Sequence, residues 1–233
     1  MYILSLETST KIFSLAIAQN EKVLRYRNVK TERILESSMI KAIDKLLNSC
    51  DLNLDKIDAL AVGLGPGSFT SLRVGLSTVK AFALAADTKV IGVGSLDVIA
   101  SGVRHQEADE ICVLVDARRG KVYTAIYDSN LSRTTDYLLT TIDEILKKVK
   151  GKTLFVGDGL GLYREHIENA YRDHSQKKLT QCGAIFSDEK FWFPHSKELV
   201  KLALRKLRNK EFEDPERIVP IYLYPEDCQV SRQ

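Results

Sequence analysis

Short apolar runs, partly interleaved with polar positions, occupy Tyr2 to Leu6, Phe13 to Ala18 and Lys22 to Arg27, and predict three strands. From Glu32 to Ser49 the apolar positions recur every three to four residues, which predicts a helix. A strand from Ile57 to Val62 and a helix from Leu72 to Ala86 complete the set. The same order then returns. Strands Ile111 to Val115, Lys121 to Tyr127 and Thr134 to Leu139 precede a helix from Ile142 to Val149, a strand from Thr153 to Val156, the turn Gly157-Asp158-Gly159 and a helix from Leu160 to Tyr171. Two tandem βββαβα units predict two related α/β subdomains, each a mixed sheet with helices, with a cleft between them. The first is expected to span residues 1–104 and the second 105–195, with Ala100 to Asp109 as the crossover. A last helix, Ser196 to Asn209, is expected to carry the segment 196–233 back onto the first subdomain.

Composition narrows the class. The 233 residues are 44% hydrophobic and 28% charged, the balance of an ordinary soluble globular chain with one large or two small cores. A net charge of +3 is too mild to mark a nucleic-acid binder by itself. Cys50, Cys112, Cys182 and Cys228 lie far apart with no C-x-x-C pair, and read as free thiols in a reducing compartment. The first apolar run is broken by Glu7 and has no basic lead, and no run approaches the length of a membrane span. A cytoplasmic protein with no membrane partner is expected.

The chemistry concentrates in the glycine-rich turn Gly63-Leu64-Gly65-Pro66-Gly67-Ser68-Phe69-Thr70, between a predicted strand and a predicted helix. Glycines let backbone approach a ligand, and a helix start offers free N–H groups to an anion, with Ser68 or Thr70 as cap. The turn is neither a Walker A loop nor a Rossmann fingerprint. A tight strand-to-helix turn without ligand fits the same residues, and both readings stand. The duplication puts Glu7 and Asp116 at equivalent strand ends. Each also opens a good turn sequence, Glu7-Thr8-Ser9-Thr10 and Asp116-Ala117-Arg118-Arg119-Gly120, and Asp116 is read as a hairpin residue. His105, His166, His174 and His195 are isolated, none four residues from another, and no Gly-x-Ser-x-Gly occurs, so neither a metal-dependent catalyst nor a serine hydrolase is expected.

In the predicted helix 32–49, Leu35, Met39, Ala42, Ile43, Leu46 and Leu47 form one wide apolar stripe. The helix after the turn is apolar on two sides: Leu72, Leu76, Val79, Phe82 and Ala83 on one, and Val74, Ala81 and Ala85 on the other. It therefore needs two neighbours, and spacing alone favours intramolecular packing. Along the last helix Lys197, Lys201, Arg205 and Arg208 share one side. This is read as a solvated stripe, with weak steering of a nucleic acid as the alternative, because no interleaved aromatic platform accompanies it in the sequence.

The string Gly65-Pro-Gly-Ser-Phe-Thr-x-Leu-Arg-Val-Gly75 closely resembles the GPGSFTGLRxG signature of the TsaB (YeaZ) family, the accessory subunit of the bacterial machinery that makes threonylcarbamoyladenosine (t6A) in tRNA. Leu4-Ser-Leu-Glu-Thr-Ser-Thr10, Val115-Asp-Ala-Arg-Arg-Gly-Lys-Val-Tyr123, Val156-Gly-Asp-Gly159 and Pro220-Ile-Tyr-Leu223 agree in the same order. The chain departs at Ser71, usually Gly, and at Leu35, where many members have His, so no role is carried over from that His. The resemblance implies an actin-like ATPase (ASKHA) fold and a non-catalytic accessory subunit. It implies as partners a catalytic paralogue of the TsaD type and an ATPase of the TsaE type, with a homodimer when alone and tRNA met only through the complex. It places the partner interface on the two helices, at Leu35, Met39, Ile43, Leu46, Val74, Ala81 and Ala85. In actin-like sites, carboxylates at the two equivalent strand ends hold metal beside phosphates. The resemblance thus makes Glu7, Gly65, Gly67, Ser68 and Thr70 a degraded nucleotide site, with no required cofactor and at most weak ATP or ADP with magnesium. The competing reading is a stand-alone small-molecule kinase or ATPase of the same fold; a peptidase has no motif behind it.

Overall fold

The computed structural model describes residues 1–30, 35–103, 108–172 and 183–224. In the first unit, β1 (Tyr2–Glu7), β2 (Ile12–Gln19), β3 (Lys22–Lys30), β4 (Ala59–Gly63) and β5 (Lys89–Val93) form one sheet in the order β3-β2-β1-β4-β5. The pairs β1–β2 and β2–β3 are antiparallel, and β1–β4 and β4–β5 are parallel. Helices α1 (Leu35–Asn48), α2 (Phe69–Ala86) and α3 (Ser95–Gly102) connect them. The second unit repeats the plan with β6 (Glu110–Arg118), β7 (Lys121–Asp128), β8 (Leu138–Thr140), α4 (Ile142–Leu146), β9 (Thr153–Val156), α5 (Leu160–Arg172) and β10 (Ala184–Phe186), in the sheet order β8-β7-β6-β9-β10. The expected duplication is present, and each copy has one further parallel strand, β5 or β10, that the pattern did not predict. Helix α3 is likewise an addition. The expected start of α1 at Glu32 lies outside the described residues, as do His105, His174, Cys182 and Cys228.

Helix α6 (Ser196–Arg208) belongs to the first unit, which comprises Met1–Arg104 and Lys190–Pro220; the second comprises His105–Glu189 and Ile221–Gln233. The boundaries therefore differ from those expected. Lys190 to His195 join the first unit, where the Asn28 amide donates to His195 Nδ1 at 2.9 Å. Ile221 onward joins the second, where the Tyr224 hydroxyl donates to the Ala117 carbonyl at 2.8 Å and its ring meets Tyr123 edge to face.

The pleat of the first sheet sorts its side chains onto two faces. Leu4, Leu6, Leu15, Ile17, Leu60 and Val62 meet α1 and α2, while Ile3, Ala16, Ala18, Ala59 and Ala61 meet Leu199, Val200, Ala203 and Leu204 of α6. Four alanines at the middle of the second face let α6 lie close to the strands, with Ile3, Ile91 and Val93 around them. A buried polar chain fixes its start: Ser196 N donates to Ser14 Oγ at 2.8 Å, Ser196 Oγ donates to the Ser14 carbonyl at 2.5 Å, and Ser5 Oγ donates to the Ser196 carbonyl at 3.1 Å. No helix among the described residues is long and apolar enough to cross a membrane. Cys112 is buried, which pushes its thiol up to about 12 and keeps it unreactive.

Met39, Ile43 and Leu46 were expected at a partner interface and instead belong to the core under α1, with Met39 1% exposed. They sit on the side of α1 that faces β2, and the exposed large apolar side chain among the described ones of α1 is their neighbour Ile40, at 48%. The Leu35 side chain lies outside the described ones. On α2, Val74 is partly buried against the core, Ala81 and Ala85 are exposed, and Leu84 beside them is 60% exposed. Urea denaturation should separate the two sets. Met39→Ala or Ile43→Ala is expected to cost about 2–5 kcal/mol, and Ile40→Ala less than about 0.5 kcal/mol.

Candidate functional site

The end of β1, the end of β4 and the start of α3 meet at Glu7, whose side chain is completely buried. A carboxylate held in such a place needs donors. The Ser9 amide donates to Oε1 at 2.8 Å and the Ser95 hydroxyl donates to Oε2 at 3.0 Å. The same Ser95 hydroxyl accepts the Gly65 amide at 3.0 Å, and the Ser95 amide donates to the Gly65 carbonyl at 2.8 Å. Burial raises the Glu7 carboxyl above its ordinary value of 4.5, opposed by the hydrogen bonds from the Ser9 amide and the Ser95 hydroxyl.

The glycine-rich turn closes around this group. Gly63 is required because a Cβ there would stand 2.0 Å from Glu7 Oε2, and Gly65 because its φ is +87°. The Gly65–Pro66 peptide is cis. At the far end of the turn the Ser68 amide donates to the Ser9 carbonyl at 2.7 Å, beside Gly67. Ser68 stands at the cap position of α2, but its hydroxyl pairs with that of Ser71 at 3.0 Å and makes no capping bond; Thr70 is exposed within the first turn of α2. The structure therefore brings Glu7, Gly65 and Gly67 together, with Ser68 attached through its backbone, and leaves Thr70 outside. Ser95 was missed by sequence reading. Its signal was the Gly94-Ser95 pair that ends an apolar run before Leu96-Asp97-Val98-Ile99, a helix start behind a strand.

Asp116 behaves as a hairpin residue. Its Oδ1 accepts the Arg118 amide at 2.8 Å, and its Oδ2 pairs with the Arg118 guanidinium at 3.1 Å. Arg118, Arg119 and Gly120 all have positive φ, at 65°, 53° and 71°, across the turn between β6 and β7. The Asp116 amide is held by Asp158 Oδ1 at 3.1 Å. His166 bonds to Asp143 at 2.7 Å. Among the described residues, no group of three or more His, Cys, Asp or Glu side chains is placed to hold a metal ion.

Two outcomes follow from the burial of Glu7. Because the folded state holds the Glu7 proton to higher pH than the unfolded chain, the contribution of Glu7 to wild-type stability falls as pH rises upward from about 4.5. Glu7→Gln stays neutral throughout. The melting temperature of Glu7→Gln minus that of wild type should therefore climb with pH through this window and level off above it; a difference that falls with pH would contradict the burial. Gly63→Ala should destabilise by about 3 kcal/mol through overlap with the carboxylate, and by clearly less when Glu7→Ala has emptied the space.

A family model described as TsaD: tRNA N6-adenosine threonylcarbamoyltransferase matches residues 29–230. The tRNA threonylcarbamoyladenosine biosynthesis protein TsaB of Bacillus subtilis (strain 168) is 29% identical over 229 residues, covering 96% of this chain and 94% of that protein. The solved structure of YeaZ from Pseudomonas aeruginosa superposes with a TM-score of 0.79 at 24% identity, over 95% of this chain and 99% of the other. The activator of the 2-hydroxyisocaproyl-CoA dehydratase from Clostridium difficile, solved with bound ADPNP, superposes with a TM-score of 0.50 at 12% identity, over 92% of this chain and 99% of the other. With its two like sheets, the chain has the actin-like (ASKHA) fold, and it belongs to the TsaB (YeaZ) family.

Proposed function

We propose that this chain is a non-catalytic accessory subunit in t6A synthesis on tRNA, acting through a helical interface with a catalytic relative of the TsaD type. The observation that carries the reading is the closure of the glycine-rich turn on Glu7. Two amides of the turn, those of Gly65 and Ser68, are already bonded to Ser95 and Ser9, and the nearby carboxylate is consumed by Ser9 and Ser95. A phosphate would have to displace these internal bonds and approach a buried acid, so the turn as folded is a poor fit for nucleotide. ATP or ADP with magnesium is at most a weak ligand, and no cofactor is required. No two of the four histidines lie four residues apart, so the sequence offers no His-x-x-x-His pair to hold a catalytic metal. Nucleotide chemistry would then fall to an ATPase subunit of the TsaE type.

The outward side of α2 suits the partner. Ala81, Leu84 and Ala85 are exposed there, Arg73 stacks on Phe69 at 3.8 Å further along, and Ile40 of α1 is exposed as well. Small side chains beside a few large apolar ones let a second pair of helices approach closely, either from the catalytic relative or from a second copy when the chain is alone. The double variant Ala81→Glu, Leu84→Glu is expected to lose at least a hundredfold in capture of a TsaD-type partner, about 3 kcal/mol from burying unpaired charge. Its melting temperature should stay within about 2 °C of wild type, because both sites are exposed. Capture at wild-type affinity would remove this face from the interface. Steady ATP turnover by the pure chain, abolished by Glu7→Ala, would favour the kinase or ATPase reading instead.

A further inference from the structure

The basic side of α6 does not stand alone in three dimensions. Tyr26, on the edge strand β3, is 47% exposed, and the Lys197 ammonium lies 5.5 Å over its ring. In the segment leading into α6, Lys190 lies 4.9 Å over Phe191, and Lys11 lies 5.0 Å over Phe193. His195 joins these pieces: it accepts the Asn28 amide at Nδ1, and its Nε2 donates to the Lys190 carbonyl at 3.1 Å. An aromatic platform interleaved with cations is thus assembled from positions about 170 residues apart in sequence.

Charge and topology select the occupant. Lys201 is paired with Glu198 at 2.7 Å and Arg208 with Glu21, while Lys197 rests on a ring and the exposed Arg205 side chain makes no hydrogen bond or ion pair among the described residues. The row from Lys197 to Arg205 spans about 12 Å of helix, the length over which one nucleic-acid strand presents about three or four phosphates. β3 is an edge that could in principle accept a further strand, but Lys22, Arg25 and Arg27 along it are exposed cations, which discourage strand addition. Cations beside one exposed ring, Tyr26, and two partly exposed ones, Phe191 and Phe193, are an arrangement that can hold phosphates and stack unpaired bases.

We propose that the outer side of α6, the edge strand β3 and the aromatic segment before α6 form a docking surface for the tRNA backbone, so that this chain touches the tRNA itself. The inference rests on the reading that the chain works in t6A synthesis, but its test does not need the catalytic partner. An unmodified tRNA transcript is titrated with the isolated chain by fluorescence anisotropy across a series of salt concentrations. The variant Lys197→Gln, Lys201→Gln, Arg205→Gln should bind at least tenfold more weakly at low salt, with the slope of log affinity against log salt reduced by about 2 to 3. Tyr26→Ala should weaken binding several-fold with the slope unchanged. The pair Lys147→Gln, Lys148→Gln, in the second unit, should change neither. No binding by wild type at low salt, an unchanged slope in the triple variant, or an equal loss in the control pair would overturn the proposal. Displacement of the tRNA by polyglutamate as effectively, charge for charge, as by unlabelled tRNA, with Tyr26→Ala silent, would reassign the surface to an acidic protein and likewise overturn it. If the triple variant loses tRNA while the wild-type chain fails to capture a TsaD-type partner, the accessory-subunit reading falls and this surface stands.

Discussion

A single carboxylate sealed from water sets the terms for the first unit. Glu7 ends β1 inside the protein, where an ionised or neutral acid without donors would be costly. Its two oxygens are met by the Ser9 amide and the Ser95 hydroxyl, and through Ser95 the bond continues to the Gly65 amide. One group therefore ties together the first turn, the glycine-rich turn and the start of α3. The glycine at position 63 follows from the same constraint, since the carboxylate occupies the space beside it. What the sequence presents as a phosphate-type loop is, in the folded chain, a loop closed on its own carboxyl group.

The duplicated plan was legible because strands and helices carry their period locally, and the sheet order of the two units bears it out. The short β5 and the eight-residue α3 were not legible: the run Val90-Ile91-Gly92-Val93-Gly94 is too brief and too rich in glycine to declare its type. Their omission hid Ser95, and with it the reason Glu7 is buried. The stripe on α1 was read correctly as apolar, but a period of 3.6 gives a direction and no neighbour. Met39 and Ile43 turned out to face the sheet, with Ile40 pointing outward. Tyr26 was invisible beside the basic stripe for a simpler reason: no local pattern relates β3 to α6, and only the packing of α6 on the sheet brings Lys197 over the ring.

The two units keep one strand order and treat the equivalent acids differently. Glu7 is buried and served by neutral donors. Asp116 is half-buried, and Arg118, two residues on, supplies it with both an amide and a guanidinium. The difference lies in the residues that follow. Thr8 and Ser9 are small and turn inward, whereas Arg118 and Arg119 must keep their charges in water, and they do so in left-handed backbone that only the hairpin's other bonds maintain.

The methyl-lined face of the first sheet sets a distance. Ala16, Ala18, Ala59 and Ala61 decide how far α6 stands above the strands, and the charged side of α6 is carried on the opposite side of the same cylinder. The height and tilt of a row of surface cations are thus written in part in four buried alanines. Exchanging one of them for valine would shift that row relative to Tyr26 without altering a single charge, so variation between relatives in the hidden face can retune the exposed one.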